Sequence, residues 1–238
     1  MTGTNAAADT GPASHGTKAP APRPPRSRAG LQHLVKRTFT ANESWTFIAL
    51  IVLMAVFTGL APGKFLTTSN LSLITQGAAP FLVMAVGETF VILTAGIDLS
   101  VGFVLVLSGV VAGEYYVHHG GTNAGLGTIW VGVLIGLATG GGYGLMQGFM
   151  VAKLKIPPLI ATLAGLGGAE GLSYLITGGH DLATVPNTLG SSIGQGSLGG
   201  VQWLIIISFL VTLLFGLILA YTRFGRYTYA IGSNPEAA

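Results

Sequence analysis

The sequence predicts an all-α fold, a polytopic helical membrane protein of about six transmembrane helices with its N-terminus in the cytoplasm. Three observations carry that expectation. Charged residues make up only 8% of the 238, against about a quarter in ordinary soluble domains. Mean hydropathy is +0.67. Long tracts free of Asp, Glu, Lys and Arg alternate with short polar turns. Eight acids and eleven bases are too few to cover a soluble domain of this length, whereas helices that face lipid need no such cover.

The eleven bases are unevenly placed, six of them before residue 40. The net charge of +3 therefore speaks of topology and not of nucleic-acid binding. Residues 1–43 are rich in Ala, Pro, Thr, Gly and Ser, with Arg23, Arg26, Arg28, Lys36 and Arg37 interspersed, the composition of a disordered basic cytoplasmic tail. The tail is too polar for a signal peptide, since no apolar stretch arrives before Trp45. Cysteine is absent, which excludes disulfides, thiolate metal sites and thiol catalysis.

A membrane helix needs about 20 largely apolar residues to cross roughly 30 Å of hydrocarbon. The twenty residues between Glu43 and Lys64 hold the first span, near 45–60, closed by Ala61-Pro62-Gly63. The apolar stretch from Asn70 to Val117, interrupted by Glu88, Asp98 and Glu114, holds two more, near 71–95 and 101–117, joined by Gly96-Ile97-Asp98-Leu99-Ser100. A fourth fits 127–151. A fifth begins at Pro157-Pro158, where a missing N–H is harmless in the first helical turn, and runs to about Ile176. Residues 178–200, rich in Gly, Ser, Asn and Thr, read as an extramembrane loop with at most a short helix. The sixth span follows at 201–221. This arrangement puts the tail, Lys153, Lys155, Arg223 and Arg226 inside and leaves only Lys64 outside, ten bases against one.

Within the spans two features need a physical reason. The fourth carries Gly132, Gly136, Gly140, Gly144 and Gly148 on one stripe, each costing about 1 kcal/mol against Ala. Close approach of a neighbouring helix is the expected compensation, and Gly165, Gly168 and Ala169 suggest the same for the fifth. Glu88 and Glu170 are intramembrane acids, expensive unless they face a partner or water. They line a substrate pathway or bond to neighbouring helices, and the residues alone leave both open. Asp98, with Ser100, either caps the next helix or takes part in gating.

Enzymatic readings are weak. Gly190-Ser191-Ser192-Ile193-Gly194 matches the G-x-S-x-G pattern, but no histidine follows His180 and a nucleophile elbow needs one, with a strand before the serine. Glu114 and His118 are four apart with His119 adjacent, a pattern more typical of interfacial residues than of a metal site. No G-x-x-x-x-G-K-[ST] occurs, so the chain carries no P-loop for ATP.

The stretch Gly87-Glu88-Thr89-Phe90-Val91-Ile92-Leu93-Thr94-Ala95-Gly96-Ile97-Asp98-Leu99-Ser100-Val101-Gly102 resembles the signature of the ribose/xylose/arabinose/galactose family of ABC permeases. Thr222-Arg223-Phe224-Gly225-Arg226-Tyr227 through Ile231-Gly232-Ser233-Asn234-Pro235-Glu236-Ala237-Ala238 is similar to the cytoplasmic loop of that family. Lys155-Ile156-Pro157-Pro158, Ile160-Ala161-Thr162-Leu163 and Thr177-Gly178-Gly179 also fit. Branched-chain amino-acid permeases share the architecture but usually carry a histidine-containing version of the first motif, so Gly96-Ile97-Asp98-Leu99-Ser100 argues for the sugar group.

The resemblance implies a permease domain over 44–222 in the bacterial plasma (inner) membrane, and a cytoplasmic coupling segment over 223–238. It implies four partners: an ABC ATPase subunit that uses ATP, an extracytoplasmic sugar-binding protein, a second permease subunit, and a monosaccharide. This chain would bind no cofactor itself and catalyse no reaction. Gly225, Arg226, Glu236, Ala237 and Ala238 would then form the coupling element, and the loop with Pro186, Gly194 and Gly196 would meet the binding protein. An ion-coupled secondary transporter, or a permease for another small polar solute, is the alternative. The chain ends within the second motif, where the family continues into further spans, so a truncated product or fragment is expected.

Overall fold

A computed structural model describes residues 42–182 and 185–233. The expected basic tail and residues 234–238, with Glu236, Ala237 and Ala238 of the expected coupling element, lie outside the described residues. Two units are distinguished, with a boundary after Leu60.

The first unit contributes α1 (Asn42–Leu60), which ends at the Ala61-Pro62-Gly63 turn. Its apolar part, Trp45–Leu60, is shorter than the other spans. At 1.5 Å per residue the 19 residues of α1 cover about 28 Å, close to the hydrocarbon thickness.

The second unit holds α2 (Thr68–Leu93), α3 (Val101–His118), α4 (Leu126–Ala152), α5 (Pro158–Thr177), α6 (Trp203–Tyr221) and α7 (Arg223–Ser233). Five helices, α2 to α6, are long and apolar enough to cross a membrane among the described residues. The remaining expected span corresponds to α1, whose apolar part is Trp45–Leu60. Large apolar side chains point outward, Leu145 at 78% and Leu175 at 80% exposure, which is costly in water and free in lipid.

Helix ends follow local chemistry. Thr67 caps α2 by accepting from the Asn70 N–H at 3.3 Å. Pro158 opens α5, and Gly178, in the left-handed region at φ 63°, closes it. Between α5 and α6 lie a single helical turn (Asn187–Leu189), a π-helical turn (Gly190–Gly194) and a hairpin pairing Ser197–Leu198 with Val201–Gln202. The hairpin turns on Gly199 and Gly200, with φ 61° and 85°, the two positive angles a type I′ turn demands. The Gly-Gly pair between Leu198 and Val201 was its sequence signal. A helical turn, not a strand, directly precedes the π turn that holds Ser192, so it is no nucleophile elbow.

Packing falls into two groups. α3 lies along α4 and α5, while α2 packs on α6, with α7 against both of those. The Ser208 hydroxyl of α6 donates to the Ala79 carbonyl of α2 at 3.0 Å, and Phe90 meets Phe215 edge-on at 6.0 Å between ring centres.

Candidate functional site

α2 ends in a Schellman-type turn: the Ala95 N–H donates to the Ile92 carbonyl and the Gly96 N–H to the Val91 carbonyl, both at 2.9 Å. Ala95 itself takes the left-handed conformation, φ 59°, which a Cβ tolerates poorly. The chain then runs extended through Ile97 and Asp98 to α3. An Asp98 carboxylate oxygen accepts from the Ser100 N–H at 2.7 Å and from the Ser100 hydroxyl at 2.6 Å. Asp98 thus caps the entry to α3, whereas Ser100 makes no cap bond of its own.

Ser100 is instead the hub of a buried polar node with no exposed surface. Its one proton goes to the Asp98 carboxylate, so the Gln147 amide of α4 serves as donor to its oxygen at 2.9 Å. Thr162 of α5 donates to the Pro158 carbonyl at 2.9 Å and approaches the Ile97 carbonyl at 3.2 Å. Gly165 makes the room: a Cβ there would run into the Gln147 amide. The Tyr143 hydroxyl completes the seam on the Gly165 carbonyl at 2.7 Å. Gln147 lies five residues, about 7.5 Å, inside the Ala152 end of α4. Lys153 and Lys155 beyond that end mark the cytoplasmic side.

α7 lies on that same side. Its buried face is Gly225 and Thr228, with Gly232 one turn on, set directly against the Leu93 carbonyl and Thr94 at the end of α2. Gly225 allows the sharp corner with α6, since a Cβ would strike the Leu219 backbone. Arg226, with Arg223, Phe224, Tyr227 and Tyr229, is exposed.

Glu170 stands at the opposite end, seven residues below the Thr177 terminus of α5. It lines a cleft of about 240 Å³ between α3 and α5, beneath residues 179–182. A larger, apolar cleft of about 730 Å³ runs between α2, α3 and α4. Glu88 is in neither, and one of its carboxylate oxygens is buried without a hydrogen-bond partner among the described residues. The four expected pathway residues are therefore not one site: Asp98 and Ser100 share the inner node, Glu170 lies near the outer end, and Glu88 is separate.

The glycine stripe of α4 divides. Gly132 receives the Tyr116 ring, whose hydroxyl donates to the Ile129 carbonyl at 3.0 Å, and Gly136 and Gly140 meet Ser108 of α3. Gly144 and Gly148 have nothing within 4 Å of a would-be Cβ. The close contact expected of five glycines is thus made by three.

The outer loop also departs from expectation. Pro186 is fully buried and so has no face to offer a partner. Gly194 accepts from the Gln76 side chain of α2, and Gly196 accepts from the Trp203 N–H at 3.1 Å, which fastens the loop to α2 and α6. Glu114 and His118 approach to 3.6 Å, and no group of three or more acids and histidines gathers among the described residues. Gln147, Thr162, Tyr143 and Tyr116 were missed in the sequence because only formal charges were sought within the apolar tracts. An amide in a membrane helix is itself a signal.

Residues 69–238 match the family described as branched-chain amino acid transport system / permease component. The fructose import permease protein of Rhizobium meliloti is 32% identical over 216 residues, 87% of this chain and 58% of the relative. The ribose import permease protein of Escherichia coli K12 is 37% identical over 198 residues, 82% of this chain and 59% of the relative. The autoinducer 2 import system permease protein of Yersinia enterocolitica is 34% identical over 199 residues, covering 83% and 52%. The chain spans less than two thirds of the length of these relatives. No solved structure matches it. A family match over more than half of the sequence, laid on five spanning helices, establishes that the chain belongs to this permease-component family as a multi-pass protein of the bacterial inner membrane.

Proposed function

We propose that the chain is the membrane-spanning part of an ATP-driven importer that carries a monosaccharide of the ribose/xylose/arabinose/galactose class into the cytoplasm. The observation that carries this reading is identity of 32–37% with fructose and ribose import permeases over more than four fifths of the chain. A separate ABC ATPase subunit uses the ATP, an extracytoplasmic sugar-binding protein delivers the sugar, and a second permease subunit completes the path. This chain is not itself an enzyme.

The geometry supports such a division of labour. α7, exposed at the inner face, rests on the end of α2, and the residues that follow α2 lead into the Asp98–Ser100 node that ties α3 to α4 and α5. A displacement of α7 by an ATPase therefore reaches helices on both sides of the path through a short run of backbone. Asp98 and Ser100 stand at the inner end of that path, and Glu170 at the outer end.

The test is uptake of radiolabelled ribose and fructose by cells expressing the complete transporter. Saturable uptake that is lost on ATP depletion and survives an uncoupler is expected. The opposite pattern returns the ion-coupled alternative, with Glu88 or Asp98 as the coupling acid. The identity with an autoinducer 2 import permease favours one second reading, a different small polar solute, and competition of ribose uptake by that solute distinguishes it.

A further inference from the structure

We infer that the cleft between α3 and α5 is an outward-facing binding site for one monosaccharide, a waypoint that rests on the importer reading above. The pattern begins in the sequence. Glu170, Ser173, Tyr174 and Thr177 stand at i, i+3, i+4 and i+7, one stripe of a helix inside a segment otherwise apolar enough to span a membrane. A polar stripe in lipid is costly unless it faces a partner or water. No hydrogen bond or ion pair reaches the Glu170 carboxylate from the described residues, and the Ser173 and Thr177 hydroxyls give their protons to Ala169 and Ser173 carbonyls of their own helix at 2.8 and 3.0 Å. Thr177 also accepts from the Gly179 N–H at 3.2 Å, so among the described residues the stripe bonds only to its own helix and the turn after it, and what it faces is the cleft.

The opposite wall is apolar, Phe103, Val106 and Val110 of α3, and Asp181 stands at the rim. A sugar ring has the matching asymmetry. Its hydroxyls donate to carboxylates and to serine and threonine oxygens, while its C–H face lies on aromatic and aliphatic surface. The volume of about 240 Å³ holds about eight waters, room for one such ring and not two. The larger cleft beside α2 is lined mainly by glycine and aliphatic side chains, and a polyol placed there would lose its hydrogen bonds to water without replacement. Depth agrees: Glu170 lies about 10 Å below the outer end of α5, within reach of a solute arriving from outside.

With the rest of the full-length transporter freed of cysteine, as these 238 residues already are, single cysteines at Tyr174 or Thr177, both in the cleft lining, report on it directly. Both are expected to react with a charged methanethiosulfonate added outside intact cells. Ribose or fructose, whichever the wild type imports, is expected to slow the reaction about tenfold at ten times its half-saturating concentration. A cysteine at Leu175, on the outward face, is expected to show neither effect. Glu170→Gln is expected to raise the KM for uptake roughly tenfold or more at unchanged membrane abundance. Unreactive cysteines, or reactive ones that a transported sugar fails to protect, overturn the inference while leaving the importer reading intact. Protection by calcium alone assigns the acids to a cation and overturns it too. If the wild type imports neither sugar, the monosaccharide reading falls and this inference with it.

Discussion

Ala95 holds a backbone conformation that its own side chain disfavours, φ 59° at the turn that ends α2. Ala95→Gly is expected to stabilise the protein by about 1 kcal/mol, seen as a higher midpoint of thermal unfolding in detergent. An unchanged or lower midpoint would show that the methyl group repays its strain through packing. The neighbouring node is the reverse case, a set of polar groups that satisfy each other. Gln147→Leu leaves the buried Ser100 oxygen without its amide donor and is expected to cost about 1–2 kcal/mol, while Gln147→Asn, a methylene shorter, recovers part of that loss. At this scale the sequence displayed Asp98 and Ser100 plainly, because a charged residue amid apolar ones is conspicuous. Gln147 was not legible as the partner of Ser100, nor Thr162 as that of the Ile97 carbonyl, since a contact 47 or 65 residues away leaves no mark in local pattern.

Among the elements, α4 shows how a periodic motif and its use diverge. Five glycines recur every four residues, yet only Gly132, Gly136 and Gly140 meet α3. Gly132→Leu is expected to displace the Tyr116 ring, break its bond to Ile129 and cost about 1–3 kcal/mol. Gly144→Ala is expected to be neutral or to stabilise by up to about 1 kcal/mol through helix propensity alone. Equal effects at the two positions, measured on the same unfolding curve, would refute the division of the stripe. Helix boundaries were legible to within three residues for all six long helices, because lipid imposes length and prohibits charge. The Ala61-Pro62-Gly63 turn after α1 and the Gly178 cap of α5 are local signals. The π turn and the fastening of the outer loop by Gln76 were not legible, as neither carries a repeating pattern.

For the whole molecule the decisive contact is Gly232 on the backbone of Leu93 and Thr94. Gly232→Val drives side-chain atoms into that carbonyl and is expected to lift α7 from its seat. In the reconstituted transporter the expected outcome is ATP hydrolysis that persists without proportionate sugar uptake. Retained coupling would exclude α7 as the transmitting element. Topology has its own check in the cysteine-free chain: a cysteine at Gly199 is expected to react with impermeant reagent outside the cell, and one at Arg226 only after permeabilisation.

Apolar composition, span positions and the family signature were legible in the sequence alone, because each depends on composition or on spacing within a few residues. Which polar groups meet was decided by tertiary structure. Asp98, Glu88 and Glu170 are similar acids in similar apolar surroundings, and only the packing of α3 against α4 and α5 puts the first in a satisfied node, the third in an open cleft, and leaves the second in neither. The physical reason is range: hydrophobic periodicity acts along one helix, whereas a buried hydrogen bond or a cleft exists only once separate helices have come together.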